Sequence, residues 1–208
     1  MRIKSITIQN FISFKNAKID FVDSASDEPR IYIIDGINFD AENDEASNGS
    51  GKSTLVSEAI MYNIFGKGLR GSKQKVKLND MIRNGTSKMI NAVEYFINNE
   101  GTPSVLTIDR TKALDGGSTT KVMIDGESKT KRTKALSDKD IKIFLDLNAD
   151  VFSQVVVYYR DNQNLLAMNY SQRLEFFKNL VDLTIIDEYY DKFKNFKQIN
   201  ARFLERLN

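Results

Sequence analysis

Apolar and polar residues alternate from the start of the chain. In residues 2–9, Ile3, Ser5, Thr7 and Gln9 share one side and Lys4, Ile6 and Ile8 the other, a period of two that predicts an edge strand. Asn10-Phe11-Ile12-Ser13-Phe14 bends the chain, and Ala17-Lys18-Ile19-Asp20-Phe21 is the expected hairpin partner. A polar loop over 22–30 leads into the apolar run Ile31-Tyr32-Ile33-Ile34, which predicts another strand. The period then lengthens: Leu55, Val56, Ala59, Ile60, Tyr62, Ile64 and Phe65 recur at helical spacing, with a stop expected near Gly66-Lys67-Gly68. Ala92-Val93-Glu94-Tyr95-Phe96-Ile97, Val105-Leu106-Thr107-Ile108-Asp109-Arg110 and Lys121-Val122-Met123-Ile124-Asp125 are separated by turns at 98–103 and at Gly116-Gly117. The middle of the chain therefore predicts an antiparallel meander.

Beyond residue 137 helices are expected again. Ser137-Asp138-Lys139-Asp140 caps a helix carrying Ile141, Phe144 and Leu145. An apolar, β-branched run over 151–159 predicts a strand, and Ser171-Gln172-Arg173-Leu174-Glu175 opens a helix with Leu174, Phe177, Leu180 and Val181 facing inward. Tyr189, Phe193, Phe196, Asn200, Phe203 and Leu207 are then spaced alternately by four and three, the seam of a coiled coil with one polar member. The seam is shorter than three heptads, so an amphipathic helix packed on its own domain is the competing reading. It reaches the last residue without a stop signal, and the expectation is a chain cut within a longer protein.

Between the strand at 31–34 and the first helix stands Asn48-Gly49-Ser50-Gly51-Lys52-Ser53-Thr54-Leu55. Strand, glycine-bearing loop and helix start are the parts of a phosphate cradle. Gly49 and Gly51 turn backbone N–H groups toward phosphates, Lys52 reaches the outer phosphates, and the Ser53 hydroxyl ligates Mg²⁺. A helix capped by Ser and Asn beside incidental glycines would explain the same letters, but not the strand before them and the helix after. The usual pattern places a glycine where this chain has Ala46, while Gly36 follows the strand directly in Asp35-Gly36-Ile37-Asn38. The acidic stretch 39–47 then reads as a solvent-facing insertion, with Gly36 making the turn; Ala46 in the glycine position is the strained alternative.

Composition narrows the chemistry. With 30 basic and 28 acidic residues the net charge is only +2, so attraction for nucleic acid must come from local clusters. Two exist: Lys67, Arg70, Lys73, Lys75 and Lys77, then Lys129, Lys131, Arg132 and Lys134. Solvated loop charge is the plainer explanation of both. The 208 residues contain no cysteine and no histidine, which removes disulfides, thiolate or imidazole metal sites and histidine general bases. No apolar run approaches a membrane span and Met1-Arg2-Ile3-Lys4-Ser5 is no signal peptide, so a cytoplasmic location is expected, in the host cytoplasm for a viral protein.

The ordered set resembles a known family. The opening strand with Asn10-Phe11, the interrupted Gly36-Ile37-Asn38 and Asn48-Gly49-Ser50-Gly51-Lys52-Ser53-Thr54, the turn Asp80-Met81-Ile82-Arg83-Asn84-Gly85, and Phe152-Ser153-Gln154-Val155-Val156-Val157 followed by Gln172-Arg173-Leu174-Glu175-Phe176-Phe177 resemble the N-terminal half of the ATPase head of SMC-like DNA-repair proteins. The SbcC type and the phage recombination exonuclease subunits are the members most alike. The resemblance implies a mixed α/β lobe of an ABC-type ATPase head over 1–184 and the beginning of a coiled-coil helix over 185–208. It implies ATP and Mg²⁺ as cofactors, with Gly36, Asn38, Asn48, Gly49, Ser50, Gly51, Lys52, Ser53, Thr54 and Ser13 at the nucleotide. Gln163 is the nearest candidate for the family's glutamine that bridges metal and attacking water; Gln154 lies earlier and reads as structural. The family's arginine after the Asn-Phe turn is replaced by Ile12.

Leu183-Thr184-Ile185-Ile186-Asp187-Glu188 imitates the family's metal-binding Asp-Glu segment, but neither a Leu-Ser-Gly-Gly loop nor a histidine accompanies it; it reads as the start of the coil. The implied partners are double-stranded DNA, contacted by Lys67, Arg70, Lys73, Lys75 and Lys77, the C-terminal half of the same head, a second head and a metal-dependent nuclease subunit. Without the C-terminal half, no hydrolysis is expected. Two other classes compete: a P-loop kinase or GTPase, disfavoured because a meander follows the first helix, and a scaffold with a vestigial phosphate loop.

Overall fold

The computed structural model describes residues 1–21, 31–37, 50–69, 77–99, 101–129, 138, 141, 144–145, 149–152, 168–180 and 189–197. The chain divides into two compact units, Met1–Asp146 and Leu147–Asn208. The first is a mixed α/β unit built on a six-stranded antiparallel sheet: β1 (Arg2–Phe11), β2 (Phe14–Asp20), β3 (Lys88–Asn99), β4 (Thr102–Ala113), β5 (Ser118–Ile124) and β6 (Glu127–Ser128), in the order β2-β1-β3-β4-β5-β6. The meander is present as expected, with β3 and β4 longer than their apolar cores because the register continues from Lys88↔Ala113 to Asn99↔Thr102.

One face of this sheet is the core. Ile6, Ile8, Met89, Val93, Tyr95, Leu106, Ile108 and Val122 are all at most 1% exposed, and in the register Ile6 stands opposite Val93, and Val93 opposite Ile108. At roughly 25 cal/mol per Å² of apolar area, such a face is the main stabilising element of the unit. α1 (Ala59–Phe65) packs on β3, β4 and β1, and only Phe65 of its residues is not buried. It ends where expected: Gly66 adopts φ 67°, ψ 18°, and its N–H returns to the Tyr62 carbonyl.

Three expectations for single elements are corrected. β1 is an interior strand between β2 and β3, since Thr7 and Gln9 still pair across both ladders although their side chains face the polar side of the sheet. Residues 31–34 form no strand; among the described residues none pairs with them, and Ile31 and Ile33 are 96% and 93% exposed. Strand propensity needs a neighbouring ladder to become a strand. The Tyr32 ring packs edge-on to Phe21 at 5.1 Å. Val151 and Phe152, the start of the run read as a strand, are helical; residues 153–159 lie outside the described residues.

In the second unit a helical turn, Ala149–Val151, contacts α2 (Tyr170–Leu180), and residues 189–197 are helical. Asn169 caps α2: its side chain accepts from the Gln172 N–H (2.9 Å) and Gln172 returns the bond to the Asn169 N–H (3.0 Å). The inward face expected for α2 is not inward. Leu174, Phe177 and Leu180 are 45–47% exposed and Phe176 is buried instead. The i, i+3 spacing is right for a stripe, but among the described residues nothing covers it.

Candidate nucleotide-binding site

The phosphate-loop residues come together at the end of the β1–β2 hairpin. Residues 52–65 are helical, opening with a π-turn at Thr54–Glu58, and the Leu55 N–H bonds the Gly51 carbonyl at 2.9 Å. Gly51 sits at φ +86°, the left-handed region that glycine tolerates. A second constraint also requires glycine: a Cβ there would stand 2.6 Å from Cζ of Phe14. Phe14, at the start of β2, therefore lies directly on the loop. The sequence reading missed it, naming its neighbour Ser13, which is exposed at the hairpin turn.

Gly36 lies at the same place. A Cβ on it would meet Ser50 Oγ at 2.9 Å and Lys52 Cγ at 3.6 Å, so backbone and loop are in close approach across the intervening 37–49 stretch. The Asp35 carboxylate accepts from the Gly36 N–H at 2.7 Å. Lys52 Nζ is held 3.1 Å from Ser50 Oγ, Thr54 is buried and Ser53 is exposed at the helix start. Gly36, Ser50, Gly51, Lys52, Ser53 and Thr54 are thus gathered at one helix N-terminus, where the helix dipole favours an anion. Asn38, Asn48, Gly49 and Gln163 lie outside the described residues.

One and a half turns along the same helix, Glu58 is 3% exposed and accepts from the Leu69 N–H at 2.6 Å, tying the start of the basic loop to the helix. Lys67 is exposed there. Lys77, at the other end of that loop, is exposed too, its N–H bonded to the Asp80 carboxylate at 2.9 Å. Arg70, Lys73 and Lys75 lie outside the described residues. The turn that follows is pinned to the hairpin: Ile12 N–H bonds Met81 O at 2.7 Å and Arg83 N–H bonds Asn10 O at 2.9 Å. The hairpin bend itself places Asn10 and Ile12 at φ 51° and 52°. The Asp80-to-Gly85 turn and the phosphate loop therefore flank one hairpin end.

The far end of the helix is held by buried polar groups that no local pattern announced. Asn63, fully buried, donates to Asn91 Oδ1 (2.7 Å) and the Ile108 carbonyl (2.8 Å) and accepts from the Tyr95 hydroxyl (2.9 Å). Asn91 donates to the Ala59 carbonyl at 3.0 Å, at the junction between π-turn and α1. Arg110, 1% exposed, donates Nε–H to the Asn63 carbonyl and Nη2–H to the Ile64 carbonyl (3.0 Å), two of the carbonyls a helix end leaves unpaired. Its Nη1 reaches Thr120 Oγ1 at 3.0 Å and Asp138 Oδ1 at 2.6 Å. Burial pushes the Tyr62 hydroxyl up to about 12, with the Arg110 charge opposing and Asp138 adding, and burial raises Tyr95 as well. On the opposite sheet face burial lifts the Asp109 carboxyl, Lys121 opposing it.

Among the described residues no cluster of acidic side chains could hold a metal by itself. A cation at this loop would be carried by a hydroxyl and by ligand oxygens, the usual arrangement for Mg²⁺ with phosphates. The exposed Ser53 at the helix start fits that donor type.

No curated protein sequence matches the chain. Two solved structures described as the recombination mediator protein RecF-ATP and RecF-ATPrS in the RecFOR pathway are similar over 67% of this chain, at 19% and 14% identity, both with a TM-score of 0.39. The alignments take in 30% and 29% of those chains, so this chain spans less than a third of their length. A family model described as AAA domain matches residues 5–208. Because that match takes in nearly the whole chain, phosphate loop included, the chain belongs to the AAA domain family, whose members are nucleotide-binding ATPases.

Proposed function

We propose that this chain is the nucleotide-binding part of an SMC-like ATPase head of the SbcC type, working on DNA in repair or recombination. The observation that carries the reading is the convergence of Gly36, Ser50, Gly51 and Lys52 at the start of a helix that continues into a buried sheet. An ATP triphosphate would lie along the Ser50–Thr54 backbone N–H groups, with Lys52 turning from Ser50 Oγ to the outer phosphates. Ser53 would hold Mg²⁺, which neutralises phosphate charge when bound, and Asn38, Asn48 and Gly49 would complete the cradle. Gln163 would complete the metal shell and orient water, while Ser13 would border the nucleotide beside Phe14.

The lobe over 1–184 would pair with the C-terminal half of the same head, and the helix over 185–208 would begin the coil joining them. Hydrolysis would need that half and a second head facing this loop, so these 208 residues alone would bind nucleotide weakly at best and not turn it over. In the whole protein, ATP-driven engagement of two heads would gate a partner nuclease on double-stranded DNA, with Lys67, Arg70, Lys73, Lys75 and Lys77 on the phosphate backbone.

The test is calorimetric titration of the purified chain with ATP and Mg²⁺, beside Lys52→Ala. Saturable binding lost in Lys52→Ala supports the reading; equal heats from both proteins reject it. Phosphate release by the isolated chain would reject the shared-site part alone.

A further inference from the structure

The helix begins at the loop, and its far end is gripped by Asn63, Asn91 and Arg110. Between them lies the π-turn Thr54–Glu58, one residue more than regular α-helix would use, which alters the rotation of Lys52 and Ser53 relative to α1. The helix from 52 to 65 is about 20 Å long at 1.5 Å per residue, so a small shift or roll at its base is carried to the loop as a displacement of Lys52. Three elements meet at that base. Arg110 comes from β4, the two carbonyls from α1, and Asp138 is a helical residue, as are the buried Ile141 and Leu145 at i+3 and i+7 from it.

Asp138 Oδ1 is buried and paired to Arg110 at 2.6 Å without an aligned hydrogen bond. The pair is thus an electrostatic clamp on a guanidinium that already donates to Asn63, Ile64 and Thr120. Desolvating Arg110 offsets much of the attraction between the two charges, so the pair is weak evidence for stability, while removing one partner would leave a buried charge uncompensated. We infer that Arg110, clamped by Asp138, is a positioning residue for nucleotide: it sets the height and roll of the helix, and through the π-turn the place of Lys52 and Ser53. This rests on the nucleotide reading above.

The experiment uses the 208-residue chain, with Asp138→Asn and Arg110→Lys as variants that keep polar contacts and with Thr120→Val as a milder one. ATP–Mg²⁺ affinity is measured by calorimetry well below each melting midpoint, and amide exchange is followed at residues 52–58. The expected result is a Kd raised about fivefold in Asp138→Asn and more in Arg110→Lys, with faster exchange at 52–58 in both. A purely structural role would lower the melting midpoint and leave Kd and the exchange of 52–58 unchanged, and that result overturns the inference. If wild type binds no ATP, the nucleotide reading falls, and exchange at 52–58 still decides whether the clamp positions the loop. If Arg110→Lys does not fold, Asp138→Asn and Thr120→Val carry the same decision.

Discussion

α1 and α2 both carry apolar residues at helical spacing and have opposite fates. In α1, Ala59, Ile60, Met61, Tyr62, Asn63 and Ile64 are all buried, including a polar Asn that satisfies its amide on three sides. In α2, Phe176 is buried while Tyr170, Leu174, Phe177 and Leu180 are exposed. Periodicity announces a helix and its stripe; a neighbouring surface decides whether the stripe becomes core. The sheet supplies that surface to α1. Among the described residues nothing supplies it to α2, nor to the helical residues 189–197, where Tyr189, Phe193 and Phe196 are 63–76% exposed.

The contrast can be broken by mutation, and the largest effect belongs to α1. Ile64, 1% exposed, should cost about 2–5 kcal/mol as Ile64→Ala, because the sheet beneath it cannot collapse into the space. Urea unfolding at neutral pH measures this, and a loss below 1 kcal/mol would mean that α1 is not part of the folding core.

A smaller effect is specific to alkaline pH. The Tyr62 hydroxyl is raised by burial to about 12 from an ordinary value of 10, so above pH 10 the unfolded chain loses that proton before the native one does. Stability from this group is fully present below pH 10 and is lost as pH rises through 12, at about 1.4 kcal/mol per pH unit. Tyr62→Phe should flatten that part of the decline in urea midpoints between pH 10 and 12; parallel curves would show that Tyr62 ionises as freely folded as unfolded.

The smallest effect belongs to α2. Leu174→Ala and Phe177→Ala should change stability by less than about 0.5 kcal/mol in the isolated chain, because little area leaves water there. A loss like that of Ile64→Ala would mean that the stripe is covered after all.

The fold was legible where a period of two met turn residues. The β1–β2 hairpin and the meander from β3 to β5 were read in the right places, because alternation and glycine-bearing turns are local signals, although β3 and β4 run two to four residues past each end of the expected segments. The glycine, lysine and hydroxyl run at 49–54 was likewise visible in the sequence, because its letters stand together. Arg110 was read only as the last residue of a strand; nothing beside it shows that it meets carbonyls forty-six residues earlier. Phe14 was likewise one apolar residue in a bend, until Gly51 was found against its ring.

Local order alone thus determined the strands of the hairpin and meander and the glycine, lysine and hydroxyl equipment of the loop, since propensity and turn conformation depend on near neighbours. Tertiary structure decided that β1 lies inside the sheet, that residues 31–34 stay unpaired among the described residues, and that Leu174 faces outward while Phe176 turns in. It also decided that Gly36 meets Ser50 and that Arg110 caps the helix bearing Lys52. Pairing, burial and the satisfaction of buried polar groups depend on which surfaces meet, and residues far apart in sequence determine that.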